Sequence, residues 1–255
     1  MLLRPMPDGG LLCVSQPAHA LISGQLARAW GAPGFAAPAP LEPVALACAQ
    51  HDVAWMGWEA EPSFDPATGR PLEFRGLGGR HHAPMWAEGV RLALASWGLW
   101  PALLISRHGN LIYRRFLDRH RVDPADAAAA DAYLAEQAVL QAEWAARLGV
   151  TEAEVAANSA ILGAVDQMSL TICWGLADCW TGDAPLADGS HARMMLRQGD
   201  GYLVCDPWPF REAEVRVQTE ATLLAAPATY PDAAAMRQAL AVSPRVAVSA
   251  VLRRA

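Results

Sequence analysis

An adjacent imidazole and carboxylate, His51 and Asp52, close the apolar run ALACAQ. Burying a polar group without a partner costs roughly 2–7 kcal/mol, and a charge costs more, so such a pair needs neighbours to satisfy it. A divalent metal satisfies both residues at once. Further candidate ligands stand on other apolar segments: His19 in HALISGQLARAW, His82 or its neighbour His81 heading HHAPMWAEGVRLALASWG, His108 where ALLIS ends, and Asp166 beside the stripe Leu162, Val165, Ser169, Ile172 and Cys173. Each has a plainer account when read alone, as a turn histidine, a hydrogen-bonded core histidine, or a carboxylate serving a cap or an arginine. Set on different helices or loops, they match the way a metal site in a helical bundle is assembled. Mixed imidazole and carboxylate ligands suit one or two divalent ions of iron, manganese, zinc, cobalt or nickel better than magnesium or calcium.

The elements that must position these residues are marked by caps and turns. MLLRPM and LLCVS, joined by PDGG, predict an amino-terminal hairpin. Ser15 caps the next helix, Pro17 fits its first turn, and His19 lines up with Ser23 and Leu26. After the Pro/Gly-rich loop GAPGFAAPAPLEP, the run VALACAQHDVAWMGW predicts one helix carrying His51 and Asp52 in its carboxyl-terminal half. Glu59 to Arg80 has no sustained period and is long for a connection, so Asp65, Thr68, Gly69, Arg70 and Phe74 form either a substrate lid or a surface excursion. Residues 81–98 predict a helix, and Pro101 starts a second apolar run that delivers Arg107 and His108. The charged stretch Arg114, Arg115, Asp118, Arg119, His120 and Arg121 reads as solvated helix surface. Asp123 with Pro124 starts an alanine-rich helix that Gly149 ends, and Thr151 with Glu154 makes a capping box for the helix bearing Asp166. Beyond Asp178 the pattern turns to strands: RMMLRQGDGYLVCDPWPF predicts a hairpin, AEVRVQTEATLL alternates, and VAVSAVLRR closes the chain.

The expected fold is therefore mainly α, a single domain over residues 1–255 with a helical core at 15–180. Residues 1–14 and 190–255 are expected to add a small antiparallel β-sheet, formed by the amino-terminal hairpin and the carboxyl-terminal strands. At 53% hydrophobic and 18% charged residues the chain has ample material for a core. A net charge of −6 argues against a nucleic-acid partner. The chain has no lysine, which excludes Schiff-base chemistry and a P-loop lysine, and leaves arginine to bind any anionic small-molecule substrate. Arg107 and Arg70 are the candidates, because the guanidinium fork matches phosphate oxygens. Five cysteines without CxxC spacing argue against a disulfide framework, and no run approaches the roughly 20 apolar residues of a membrane span. A cytoplasmic protein with reduced thiols is expected, and a homo-oligomer stays open.

In the order histidine, His-Asp doublet, late aspartate, the residues His19, His51, Asp52 and Asp166 resemble the HD-domain superfamily of metal-dependent phosphohydrolases. The resemblance covers roughly residues 15–180 and implies an HD-like helical bundle. Members with two metals insert histidines between doublet and aspartate, a place that His108 and His82 fit, and the resemblance then implies that Asp52 bridges the ions. It implies a hydrolase acting on a small phosphoester, in which activated hydroxide attacks phosphorus and Asp52 is catalytic; Arg107, beside His108, is the catalytic candidate that guanidinium chemistry adds. Arg70, Arg107 and Trp58 would hold the substrate. Other members with mixed-ligand di-iron centres activate oxygen, so an HD-type di-iron oxygenase is the alternative. The aromatic setting of Trp55, Trp58 and Trp86 would keep water out of a site that activates oxygen, though tryptophans are more often simple core. A non-catalytic helical binding protein with a structural polar site is the third reading. One departure is that Val53, Ala54 and Trp55 follow the doublet where many members place Gly or Lys. The chain also resembles an uncharacterised bacterial family of unknown function through QPAHALISGQLARAW, HDVAWMGW, DPATGRP and LLISRHG.

Overall fold

In the computed structural model, which describes residues 1–117 and 121–255, the PDGG turn folds β1 (Leu2–Pro5) onto β2 (Leu11–Val14) as an antiparallel hairpin. The Ser15 hydroxyl then accepts the Ala18 N–H at 3.1 Å and starts α1 (Gln16–Ala29). The spacing predicts one helix through the His-Asp doublet, but α2 (Leu41–Gln50) stops just before it and α3 (Trp55–Ala60) begins after it. The reason is a tightened turn. Val53 N–H bonds Gln50 O and Trp55 N–H bonds Asp52 O, each at 3.0 Å and three residues back, while His51 Nδ1 meets the Cys48 carbonyl at 2.8 Å. His51 and Asp52 are thereby aimed out of the helix end.

The aperiodic stretch that follows contains a two-residue ladder, β3 (Phe64–Asp65) with β4 (Arg70–Pro71), whose turn is held by Asp65 accepting from Ala67 N–H and the Thr68 hydroxyl. A single 3-10 turn, Phe74–Gly76, leads into α4 (Gly79–Trp97), followed by α5 (Leu99–Phe116). Asp118, Arg119 and His120, part of the expected charged surface, lie outside the described residues. The next two helices start as their caps predict: α6 (Pro124–Leu148) on Asp123, and α7 (Glu152–Trp174) on a full Thr151–Glu154 capping box.

The carboxyl-terminal third corrects the expected fold. It forms β5 (Cys179–Pro185), β6 (His191–Gln198), β7 (Leu203–Asp206), β8 (Glu214–Leu224), α8 (Ala233–Val242) and β9 (Arg245–Arg254). With the amino-terminal hairpin these strands make one curled seven-stranded sheet in the order β1-β2-β8-β9-β7-β6-β5. The sheet is mixed, since β7 and β9 run parallel. The fold is thus a mixed α/β architecture rather than a mainly α bundle with a small antiparallel extension. Burial explains why. Every second side chain along the first two-thirds of β8 turns inward, and Val215, Val217 and Ala221 join the same apolar core as Leu26 of α1 and Leu162 of α7. A sheet that shares the main core is half of the fold. Helix α8 was not anticipated, although the Asp232 side chain caps it by accepting the Ala235 N–H at 2.8 Å.

Helix α1 packs against α2, α7 and β8 and so occupies the centre. Its approach to α2 depends on Gly24, where an added Cβ would lie 2.5 Å from the Ala49 Cβ. On the α7 side, Ser23 donates to the Ser169 hydroxyl at 3.0 Å, which in turn donates to the Asp166 carbonyl at 2.8 Å. Small side chains at both contacts bring the helices close. Among the described residues no helix is long and apolar enough to cross a membrane.

Candidate metal centre

Those close approaches carry His19 of α1, His51 and Asp52 of the turn after α2, His108 of α5 and Asp166 of α7 to one buried point. The rings of His19 and His51 stack at 5.1 Å, and His108 meets His51 edge-on at 4.7 Å. His19 Nε2 is 3.2 Å from Asp52 Oδ2 and 3.7 Å from Asp166 Oδ1. His51 Nε2 is 3.2 Å from Asp166 Oδ1 and 3.7 Å from Asp52 Oδ2, and His108 Nε2 is 3.7 Å from Asp166 Oδ2. All five side chains are buried.

The contacts are short, yet His19 Nε2 and His51 Nε2 make no well-directed hydrogen bond. Ligand atoms about 2.1 Å from a shared transition-metal ion stand about 3–3.5 Å from each other, the spacing of the two contacts at 3.2 Å and slightly less than the 3.7 Å of the others. His19, His51 and Asp166 each offer an atom within 4.8 Å of the other two, with Asp52 and His108 flanking them. Buried ring nitrogens without partners, facing carboxylate oxygens, fit a divalent ion of the imidazole-and-carboxylate class. The cluster could hold one; its identity is not fixed by the donor set.

Electrostatics in the metal-free protein follow from burial and mutual charge. Burial would raise the Asp166 carboxyl, but His51, then His108 and His19, outweigh it and hold the group at about 2. Burial would lower His51, and the Asp52 and Asp166 carboxylates with the Cys48 carbonyl reverse this, to about 9. Burial pushes His19 and His108 down to about 3, helped by the neighbouring His51 charge. Burial lifts Asp52 to about 7 against the pull of His51. His51 thus carries the cluster's positive charge, facing the ionised Asp166 and the Asp52 carboxyl.

The remaining candidates are placed elsewhere. His82 stands in an aromatic cage, 4.1 Å from the Trp86 ring and 5.1 Å from Trp55 by ring centroids, with Nδ1 3.3 Å from the Tyr113 hydroxyl. His81 is exposed. Trp58 packs edge-on against Trp55. Arg107 points away from His108 to form an ion pair with Glu152, at the far end of α7 from Asp166. Arg70 pairs across the short ladder with Asp65, beside the Gly69 carbonyl that accepts from Tyr230.

A cavity of 680 Å³ opens onto Asp166 and His82, and neither Arg70 nor Arg107 is among the described residues lining it. Among the described residues Arg75 is the lining arginine, its guanidinium 5.2 Å over the Trp174 ring and 2.6 Å from Glu73. Arg75 was missed because the lid was centred on the DPATGRP turn; the signal was FRGLGG, the glycine-rich approach to the helix of His82. Tyr113 and Trp174 were missed too, because an aromatic residue in a helical run carries no signal that separates a cavity wall from core. On the opposite side of His108, a void of about 10 Å³ lined by Trp86 and Tyr133 leaves room for about one water beside the unpartnered His108 Nδ1.

Comparison with protein families finds one model, described as a protein of unknown function (DUF3891), that matches residues 1–226. The chain belongs to the DUF3891 family. The match runs from the amino-terminal hairpin through all five cluster residues and into the loop after β8, so the hairpin, helices α1 to α7 and most of the sheet fall within the DUF3891 unit. No curated protein and no solved structure matches the chain.

Proposed function

We propose that this DUF3891 protein is a metal-dependent phosphohydrolase of the HD kind, acting on a small anionic phosphoester. The observation that carries the proposal is the convergence of His19, His51, Asp52 and Asp166 at 3.2–3.7 Å with their buried Nε2 atoms unpartnered. These are the four positions of the superfamily pattern, in its order. Bound there, a divalent transition ion supplies Lewis acidity and a water activated near neutral pH.

The chain's own groups do the rest. Asp166, kept ionised, presents an oxygen to the cavity floor, and His19 and His108, kept neutral by burial, each have one ring nitrogen with a lone pair to offer. His82 lines the same cavity as a neutral imidazole, held at about 4 by burial and oriented by Tyr113. Apolar walls exclude bulk water, which strengthens every charge interaction at the floor. Arg107 and Arg70 have no part in this scheme.

A second reading, oxygen activation at a di-iron centre, draws support from the aromatic cage of Trp55, Trp86, Tyr113 and Tyr133 packed beside His82 and His108. Elemental analysis separates the two, on protein purified anaerobically without a metal-affinity tag and compared with His51→Ala. Manganese, nickel, cobalt or zinc lost in the variant, with phosphoester turnover in the wild type, supports hydrolysis. Two irons per chain and oxygen-dependent turnover support the second reading. A wild type that takes up no metal when supplied with it ends both.

A further inference from the structure

We infer that the substrate carries a long apolar body, which lies along α7 from Asp166 to Trp174 while its phosphoester reaches the cluster. The inference rests on the hydrolytic reading above and extends it to substrate class. The cavity walls are two helical stripes, Asp166, Leu170 and Trp174 on α7 and Ile112, Tyr113 and Phe116 on α5. Their volume of 680 Å³ falls inside the roughly 300–1,000 Å³ of small-molecule sites. Eight residues separate Asp166 from Trp174, which is about 12 Å along a helix axis.

Among the described residues, Asp126, Tyr113 and Arg75 of that path are already engaged, and the Gln167 amide on α7 is left to answer a polar group. Asp126 accepts from the Arg80 backbone N–H at 2.8 Å and from its Nε at 3.0 Å. The Tyr113 hydroxyl contacts His82, and Arg75 is held by Glu73 at 2.6 Å over the Trp174 ring. A sugar or nucleotide would bring many hydroxyls and ring nitrogens to a surface whose described residues answer few of them, and each unpaired polar group lowers affinity. An alkyl or aryl body loses nothing there. Phe116, 61% exposed at the rim, is a large apolar side chain left to solvent that such a body would cover.

Alkylphosphonates from methyl to dodecyl test this, titrated by calorimetry into protein supplied with Mn²⁺. Affinity should rise about fourfold per added methylene, as expected for burial of each CH₂. The rise should level off after about ten methylenes, the number an extended alkyl chain needs to span the roughly 12 Å helical path. Leu170→Arg, halfway along, should bring the break back to about five methylenes. Phe116→Arg, at the exposed rim, is less demanding of the fold and should weaken only the longer chains. Affinity independent of chain length, ribose 5-phosphate binding tighter than octylphosphonate, or a break unmoved in both variants would overturn the inference. Metal content of the same sample is scored separately. A retained slope without metal ends the hydrolytic reading and leaves the cavity assignment standing, whereas metal without a slope does the reverse.

Discussion

On α5, Ser106 and Asn110 turn toward α6 while His108, between them, turns toward α1, α2 and α7. The two polar groupings that result are equally buried but organised differently. Gln141 of α6 donates to the Ser106 hydroxyl at 2.6 Å and accepts from Asn110 Nδ2 at 3.4 Å, so donors meet acceptors along a chain. Asn110 Oδ1 is its one loose end. In the His108 grouping, ring nitrogens face carboxylate oxygens at 3.2–3.7 Å, and Nε2 of His19 and of His51 is left without a hydrogen bond. A network that serves only the fold satisfies itself. One built around an ion keeps lone pairs aimed at a common point.

The largest expected effect comes from breaking the second grouping. Asp166→Asn removes the carboxylate nearest His51 and should abolish metal uptake, read as metal per chain. It should also end the stabilisation a metal gives the wild type, about 2.7 kcal/mol at a hundredfold excess over its Kd. The metal-free variant should be less stable by roughly 3–5 kcal/mol, because the buried His51 charge loses a partner. A variant that melts early yet still binds metal would reduce the cluster to a structural network like that of Gln141.

Gln141→Leu tests the other side of the comparison. It strands Ser106 and Asn110 without their partner, for a loss of roughly 2–6 kcal/mol at about 1–3 per unsatisfied group. Metal stoichiometry should be unchanged. Loss of metal here would mean that the two groupings act as one.

Most of the cluster was legible in the sequence, and the physical reason is burial. A histidine or aspartate inside an apolar period stands out because few such residues tolerate that setting, which is how His19, His51, Asp52, His108 and Asp166 declared themselves. Caps were legible for the same kind of reason: Ser15, Asp123 and Thr151 each satisfy orphan N–H groups locally. What was not legible depends on distant partners. The parallel β7–β9 pair brings together strands separated by β8 and α8, and nothing local to Leu203–Asp206 announces it. Period two in β8 foretold a strand, but not that its inward face would share the core of α1 and α7. Side-chain direction failed similarly at Arg107, whose neighbour His108 points the other way round the helix.

His82 offers a smaller and pH-dependent effect, since it sits beside the cluster but keeps a hydrogen-bonded ring nitrogen. Burial lowers it to about 4 from the ordinary 6.5. The unfolded chain therefore takes up this proton from pH 6.5 downward and the folded protein only near 4, so stability falls as pH drops through that window. By pH 5 the loss is about 2 kcal/mol relative to pH 7.5. His82→Phe keeps an aromatic ring against Trp86 and removes the proton. Urea unfolding should therefore show the wild type losing about 2 kcal/mol more than the variant between pH 7.5 and 5. Equal slopes in the two proteins would mean that His82 is already solvated, and its assignment to the dry wall of the cavity would fail.

The smallest effect is expected at Arg107, and it sharpens the comparison because sequence reasoning put this residue in the site. Its guanidinium engages the 75% exposed Glu152, at the start of α7, fourteen residues and about 21 Å of helix from Asp166. Exposed pairs of this kind contribute about 0–1 kcal/mol. Arg107→Ala should accordingly leave metal content and phosphoester turnover unchanged and shift stability by less than about 1 kcal/mol. Arg75→Ala in parallel alters the residue that does line the cavity. Should Arg107→Ala instead cut turnover by tenfold or more while Arg75→Ala does not, the reacting group would have to approach from the α6 side of His108, through the void beside Tyr133, and the 680 Å³ cavity would lose its role.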